Sequence, residues 1–258
     1  MTRIAIIESN PPDWNAREIA GGIPLWSQIY ATTLRHFAPD LEIAVVQPYA
    51  GETLDAAGFD AVVFTGSSVD WSVNQPKERP LVEAMEACFA AGRPMLGSCN
   101  GYQLAAHLLG GVVAASPNGA EHGLARDLRL TKAGLSHPMM AGRRDGFAVP
   151  CVHRDEIQTL PEGAVLLAGN AHSPVQAFAY ARNGVDFWGV QYHPEMPARQ
   201  MAERLKVMSG MAAVDLSDLS NCSTDRTAAE RLGTTPEEMQ TDMRATEIRN
   251  WLDHIGAL

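Results

Sequence analysis

The chain has few cysteines, four in 258 residues, and they form no CxxC pair and no metal-finger spacing. Cys88, Cys99, Cys151 and Cys222 therefore read as free thiols of a reducing compartment, each to be weighed singly. Long apolar runs are missing as well. None approaches the roughly eighteen residues that cross a bilayer, and the first, residues 4–7, follows a lone Arg3 and stops at Glu8, which speaks against a secretory signal. These absences predict a cytoplasmic protein with no membrane partner. Positive charge is in deficit, with 20 Lys and Arg against 30 Asp and Glu and a net charge of −10. A surface that neutralises phosphates is excluded on that count, so no nucleic-acid partner is expected. No internal repeat or low-complexity segment interrupts the chain.

What is present is ordinary for a folded domain: 46% hydrophobic and 19% charged residues. A chain of 27.8 kDa buries close to three-quarters of its extended surface, by area scaling about 40,000 Å² reduced to roughly 11,000 Å². It needs no disulfide or metal to be stable. Apolar runs rich in Val and Ile at residues 4–7, 43–46 and 61–64 recur with helix-compatible stretches between them. That rhythm predicts parallel strands joined by crossover helices. Residues 25–37 and 81–91 carry apolar stripes at helical spacing, which makes Cys88 a packing residue. Beyond Cys99, short strands are expected at 111–116, 128–131, 148–153, 164–168, 175–180 and 187–193, separated by turn signals such as Asn118-Gly119 and Asn183-Gly184. The expected class is α/β, an open and mostly parallel sheet with helices on both faces and a small antiparallel extension.

The last 48 residues differ, with nine acidic residues, four arginines and no lysine. Thr235-Pro236-Glu237-Glu238 has the composition of a capped helix start, followed by an apolar face of Met239, Met243, Ile248, Trp251, Leu252 and Ile255. This predicts a main domain over residues 1–203 and a helical extension over 204–258. The extension either packs on the main domain or binds a partner, and an amphipathic stripe favours the first.

The chemistry concentrates in two places. Gly97-Ser98-Cys99-Asn100-Gly101-Tyr102-Gln103 reads as a strand entering a sharp turn and then a helix over 102–109, a nucleophile elbow with sulfur in place of oxygen. Small residues are required at Gly97 and Gly101 because such a turn crowds strand and helix backbones. A thiol at a helix N-terminus is favoured as thiolate, and the Asn100 amide is placed to donate to an oxyanion. Acyl transfer also needs a proton carrier. Among eight histidines, His193 stands out in Tyr192-His193-Pro194-Glu195, at the expected C-terminal end of a strand, with Glu195 near enough to hold the imidazole tautomer.

These two motifs, GxCxGxQ and HPE, make residues 1–200 resemble a class I glutamine amidotransferase domain of the stand-alone, GMP-synthase-like kind. The resemblance implies a Cys99, His193, Glu195 triad that hydrolyses a γ-glutamyl amide through a thioester, with no cofactor. It implies Gly66, in Thr65-Gly66-Ser67-Ser68, as a second oxyanion donor beside Asn100. It further implies Gln103, and the Val152-His153-Arg154-Asp155 segment, as holders of the amino-acid end of the substrate. Two departures from the family pattern stand out: the glycine loop lacks a proline and a second glycine, and Asn100 replaces an apolar or aromatic residue. A solvated turn for Ser67-Ser68 and a helix cap for Asn100 stand level with a substrate contact as accounts of them.

Three alternatives to glutamine hydrolysis remain open. The same triad could act on γ-glutamyl peptides or amines. It could stay idle until a separate synthetase subunit docks, since no GxxxxGK[ST] or SGGxDS-like segment is present here. An α/β-hydrolase arrangement of Cys99, Asp155 and His193 fits the chain order but leaves Gln103 and Glu195 unexplained. A metal site from His153, Asp155, His193 and Glu195 is conceivable by spacing, but the cysteine elbow needs none.

Overall fold

The structure, a computed structural model, describes residues 2–208 and 216–258. One nine-stranded sheet organises them, in the order β2-β1-β3-β4-β11-β10-β9-β6-β7. Its first five strands, β2 (Glu42–Val46), β1 (Arg3–Ile7), β3 (Ala61–Phe64), β4 (Met95–Ser98) and β11 (Val185–Val190), run parallel. The next four, β10 (Ala177–Arg182), β9 (Val165–Gly169), β6 (Glu121–Leu130) and β7 (Phe147–His153), continue it antiparallel. The antiparallel extension expected from the sequence thus contributes four strands to the main sheet. A further pair, β5 (Val112–Ala115) with β8 (Asp155–Thr159), lies apart from it, and β8 has no counterpart among the expected strands. Its sequence, Asp-Glu-Ile-Gln-Thr, lacks the apolar alternation that marks a strand.

The inner parallel strands β1, β3 and β4 are apolar but for Arg3 and Ser98 because both their faces are covered. One face packs α2 (Trp26–Phe37) and the C-terminal α9 (Thr246–His254) around Ile4, Ile6, Tyr30, Leu34 and Trp251. The other packs α3 (Arg79–Ala91) and α4 (Asn100–Leu108) around Ile7, Phe64, Leu81, Met85 and Cys88. A third cluster joins Trp26, Met196, Met201 and Leu205 of α5 (Ala198–Val207) to Leu219 of α6 (Leu216–Asn221) and Ala229 of α7 (Arg226–Arg231). The expected domain limit after residue 203 falls inside α5, and residues 209–215 of the expected extension lie outside the described residues.

The helix expected to start at Thr235-Pro236-Glu237-Glu238 does not form. Thr235 does accept from the Glu238 amide at 3.2 Å, as a cap would. The Glu238 side chain, however, is bound to Thr234 at 2.8 Å and to Arg144 at 2.5 Å, and Gln240 takes the Pro236 carbonyl with its own side chain at 3.2 Å. The segment closes as a turn, and helix begins only at α8 (Thr241–Arg244), followed by α9. Met243, expected on the apolar face, is 41% exposed, whereas Ile248, Trp251 and Leu252 are fully buried.

Candidate active site

Three adjacent parallel strands deliver the principal groups. Gly66 follows β3, Cys99 follows β4, and His193 lies three residues beyond the end of β11, so all emerge at the carboxyl edge where open α/β sheets bind ligands. The strand expected to run to His193 ends at Val190, and residues 191–195 form a bend.

Cys99 occupies the sharp turn between β4 and α4 with φ 47° and ψ −100°, a strained backbone that costs about 1 to 3 kcal/mol in a non-glycine residue. The turn is anchored by the Cys99 amide donating to the Val190 carbonyl at 2.9 Å and the Gly101 amide donating to the Thr65 carbonyl at 3.2 Å. A Cβ on Gly97 would stand 2.9 Å from the backbone of Gly101 and Tyr102. One on Gly101 would stand 2.7 Å from the Phe64 carbonyl oxygen and closer still to its Cβ. Only glycine fits at either place. The amides of Gly66 and Asn100 donate no hydrogen bond among the described residues. Gly66 has a further reason to be glycine, since a Cβ there would sit 2.5 Å from Cε1 of His193.

His193 and Glu195 are both fully buried, with Nδ1 and Oε1 2.7 Å apart. Burial works against the imidazolium, but the Glu195 carboxylate and the nearby Cys99 sulfur outweigh it and push His193 up to about 9. Its Nε2 has no hydrogen-bond partner among the described residues, which leaves it available to the sulfur and to a substrate. Burial holds the other cysteines as thiols, pushing Cys88 up to about 12 and Cys222 up to about 11, with Cys151 raised as well.

Several contributors had no local signature in the sequence. Trp26 lies over the His193 ring with centroids 4.5 Å apart, and the Arg204 guanidinium also stands over a Trp26 ring at 3.9 Å. Arg204 pairs with Glu18, and Ser68 donates to Glu18 at 2.5 Å while accepting from Trp26 Nε1 at 3.2 Å and Arg204 at 3.1 Å. Ser67 donates to Asn10 at 2.9 Å. Ser67-Ser68 is therefore a bonded junction rather than a solvated turn. Asn100 is no cap either: its side-chain amide, Nδ2, donates to the buried Glu78 at 2.7 Å, and Glu78 also accepts from Tyr49 and Trp71 at 2.9 Å each. Burial raises the Glu78 carboxyl, against those three donors.

A cavity of about 610 Å³ opens beside the sulfur. Gln103, Val152, His153, Arg154 and Asp155 line it together with Cys99 and Asn100. Cys99 contacts the Val152 carbonyl at 3.5 Å, and the Gln103 side chain donates to the Asp155 carbonyl at 2.7 Å and to Gln191 at 3.0 Å. Its remaining walls include Trp14, Arg17, Trp26, Trp71 and Val207. His153 has both ring nitrogens engaged elsewhere, Nε2 with Glu121 at 2.9 Å and Nδ1 with the Asp155 carbonyl at 3.1 Å. The Asp155 carboxylate is occupied by Arg154 at 2.8 Å, whose hydrogen bond and charge hold it below the usual range against burial. The hydrolase arrangement with Asp155 as the acid thus lacks its central contact. Among the described residues, no group of three or more His, Cys, Asp and Glu is placed to hold a metal.

Comparison with known proteins bears on the family and the fold. The model of the class I glutamine amidotransferases matches residues 29–206. A γ-glutamyl-L-1-hydroxyisopropylamide hydrolase from Pseudomonas sp. is 32% identical over 79% of this chain and 75% of its own. One of the subunits of the glutamine-hydrolysing GMP synthase of Saccharolobus solfataricus is 30% identical over 66% of this chain and 84% of its own. Undivided GMP synthases match over only 18 to 24% of their length. In fold, a glutamine amidotransferase from Thermotoga maritima superposes with a TM-score of 0.66 at 19% identity, covering 98% of this chain and 97% of that one. No described helix is long and apolar enough to cross a membrane.

Proposed function

Because this chain belongs to the class I glutamine amidotransferase family, we propose that it hydrolyses the γ-amide of glutamine at Cys99, releasing glutamate and ammonia. The observation that carries the reading is the buried His193–Glu195 pair at 2.7 Å, set beside a sulfur on a strained elbow. Its raised affinity for a proton equips His193 to take the proton of the Cys99 thiol, which gives a sulfur–imidazolium pair. The sulfur attacks the γ-carbonyl carbon, a C–S bond forms, and the carbonyl oxygen becomes an oxyanion that the free amides of Gly66 and Asn100 can bind. One such donor is worth about 2.7 to 4 kcal/mol in other hydrolases. Collapse breaks the C–N bond as His193 protonates the leaving nitrogen. Neutral His193 then takes a proton from water, the hydroxide adds to the thioester, and C–S cleavage returns glutamate and the starting sulfur–imidazolium pair. Gln103 and the backbone of 152–155 hold the amino-acid end.

A second reading, hydrolysis of a γ-glutamyl amide with a larger amine, is favoured by the size and walls of the cavity. Even at the roughly 30 Å³ that one free water takes up in the liquid, more than a covalently bonded atom needs, the ten heavy atoms of glutamine account for no more than about 300 Å³. The cavity holds about twice that, and Trp14, Trp71 and Val207 offer apolar surface to the remainder. The Pseudomonas relative carries such an amide in its name. One assay decides between them: glutamate release from glutamine, from γ-glutamyl alkylamides and from γ-glutamyl peptides, each with the wild-type chain and with Cys99→Ala. Cysteine-dependent release is expected from at least one class, and the class with the highest kcat/KM names the substrate. Release that survives Cys99→Ala, or no release from any, contradicts the proposal.

A further inference from the structure

The bend that carries His193 is tied down at four successive residues, and two of the ties come from the far end of the chain. The His193 amide donates to the Pro150 carbonyl at 2.8 Å, and the Glu195 carbonyl accepts from Thr33 at 3.0 Å. The Tyr192 hydroxyl donates to Glu247 at 2.8 Å, and Arg244 donates to the carbonyl oxygen of Pro194. Arg143, from the loop before β7, locks these last two together. It meets both oxygens of Glu247, at 2.8 and 2.6 Å, and donates to the carbonyls of Met243 and Arg244 at 2.7 Å each. Every side chain in this relay is buried: Tyr192 and Glu247 are 0% exposed, Arg244 1%, and the Arg143 side chain 2%.

Arg244 also faces the catalytic carboxylate. It shares with Glu195 the lining of a second cavity, about 200 Å³, behind the bend and away from the substrate side. Burial pulls the guanidinium down to about 10, which Glu195 opposes and Arg143 reinforces, so Arg244 stays cationic at neutral pH. A buried ion pair is poor evidence of net stability, because desolvation of both charges offsets their attraction. Two buried arginines converging on one bend are better explained by geometry: a carbonyl and a carboxylate that must not drift.

We propose that Arg244, held by Arg143 and Glu247, is a positioning residue that fixes the His193–Glu195 pair, so that the C-terminal extension is a working part of the active site. The inference rests on Cys99, His193 and Glu195 acting as the triad. A misplacement of the imidazole by a fraction of an ångström slows both proton transfers while leaving the substrate-binding cavity intact.

The test compares full-length Arg244→Met, Arg244→Lys and Tyr192→Phe with wild type, on whichever γ-glutamyl amide the wild type turns over. Rates are counted per active site titrated with an electrophilic γ-glutamyl analogue. Arg244→Met is expected to lower kcat by about 10- to 100-fold with KM unchanged. Arg244→Lys restores part of the loss, and Tyr192→Phe shows a smaller loss of the same kind. The exposed Arg226→Ala, in the same extension, serves as the control with unchanged kcat. The low-field proton resonance of the His193–Glu195 hydrogen bond gives a readout independent of turnover and is expected to move or broaden in Arg244→Met. Unchanged kcat per site together with an unmoved resonance in Arg244→Met overturns the proposal. Should Arg244→Met fail to fold, Arg244→Lys and Tyr192→Phe decide it by the same two measures. A wild type that hydrolyses no γ-glutamyl amide refutes the proposed function instead, and the resonance still tests the positioning role.

Discussion

The two halves of the candidate site are built in opposite ways. The elbow at Cys99 is held by what lies inside residues 97–103 or on the strands beside it: two glycines without room for a Cβ, and backbone bonds to Val190 and Thr65. The bend at His193 is held by side chains 50, 55 and 162 positions away in sequence, Arg244, Glu247 and Thr33. A strained backbone turn can be written in a short motif because sterics act between near neighbours. A buried imidazole–carboxylate pair has to be surrounded, and its surroundings come from wherever the fold brings them. The elbow is thus legible in a short motif, while the His193 bend depends on residues drawn from the whole domain.

That contrast is open to attack at four points. Cys99→Ala removes the reacting atom and should reduce glutamate release by about 10⁴-fold or more, with the thermal midpoint nearly unchanged in a melting experiment. Glu195→Gln should slow turnover by about 10²-fold or more, because the imidazolium loses the carboxylate that sustains it. The same variant gives a signature in stability. His193 is raised from 6.5 to about 9 on folding, so its contribution is complete below pH 6.5 and is lost as pH climbs to about 9. Wild type should therefore lose stability across that window in urea titrations, and Glu195→Gln should lose less. Equal losses would show that the pair is not coupled as described.

Gly101→Ala probes the local half. Its Cβ collides with Phe64 backbone and side chain, and a loss of about 1 to 3 kcal/mol in unfolding free energy is expected. The smallest effect belongs to Asn100→Ala. Glu78 would keep Tyr49 and Trp71 as donors, so a cost near 1 kcal/mol is expected, measured by the same titration. A larger loss at Asn100 than at Gly101 would reverse the claim that sterics, not side-chain bonding, define the elbow.

The same contrast explains how much was legible in the sequence. The parallel strands follow from apolar runs and the glycines at 97 and 101 from a short motif, whereas Gln103 and 152–155, which line the cavity, were singled out by the family resemblance alone. The stack of Arg204, Trp26 and His193 could not be read, because no spacing rule links residues 26, 193 and 204. The turn at residues 236–240 was mistaken for a helix because the capping pattern is real, while Thr234, Arg144 and Ser223 draw Glu238 and Gln240 into other bonds. Ser67-Ser68 read as a solvated turn or a substrate contact, and Asn100 as a helix cap or a substrate contact. Each is instead bound to a partly or fully buried partner that lies far off in sequence.

The most direct measurement is to mix the wild-type chain with its best γ-glutamyl amide, quench in acid within the first turnover, and map the mass of each cysteine-bearing peptide. The account predicts one added glutamyl group, on the peptide containing Cys99, appearing before free glutamate accumulates. A glutamyl group on Cys88, Cys151 or Cys222 instead, or steady glutamate release with no labelled cysteine at any time point, would contradict it.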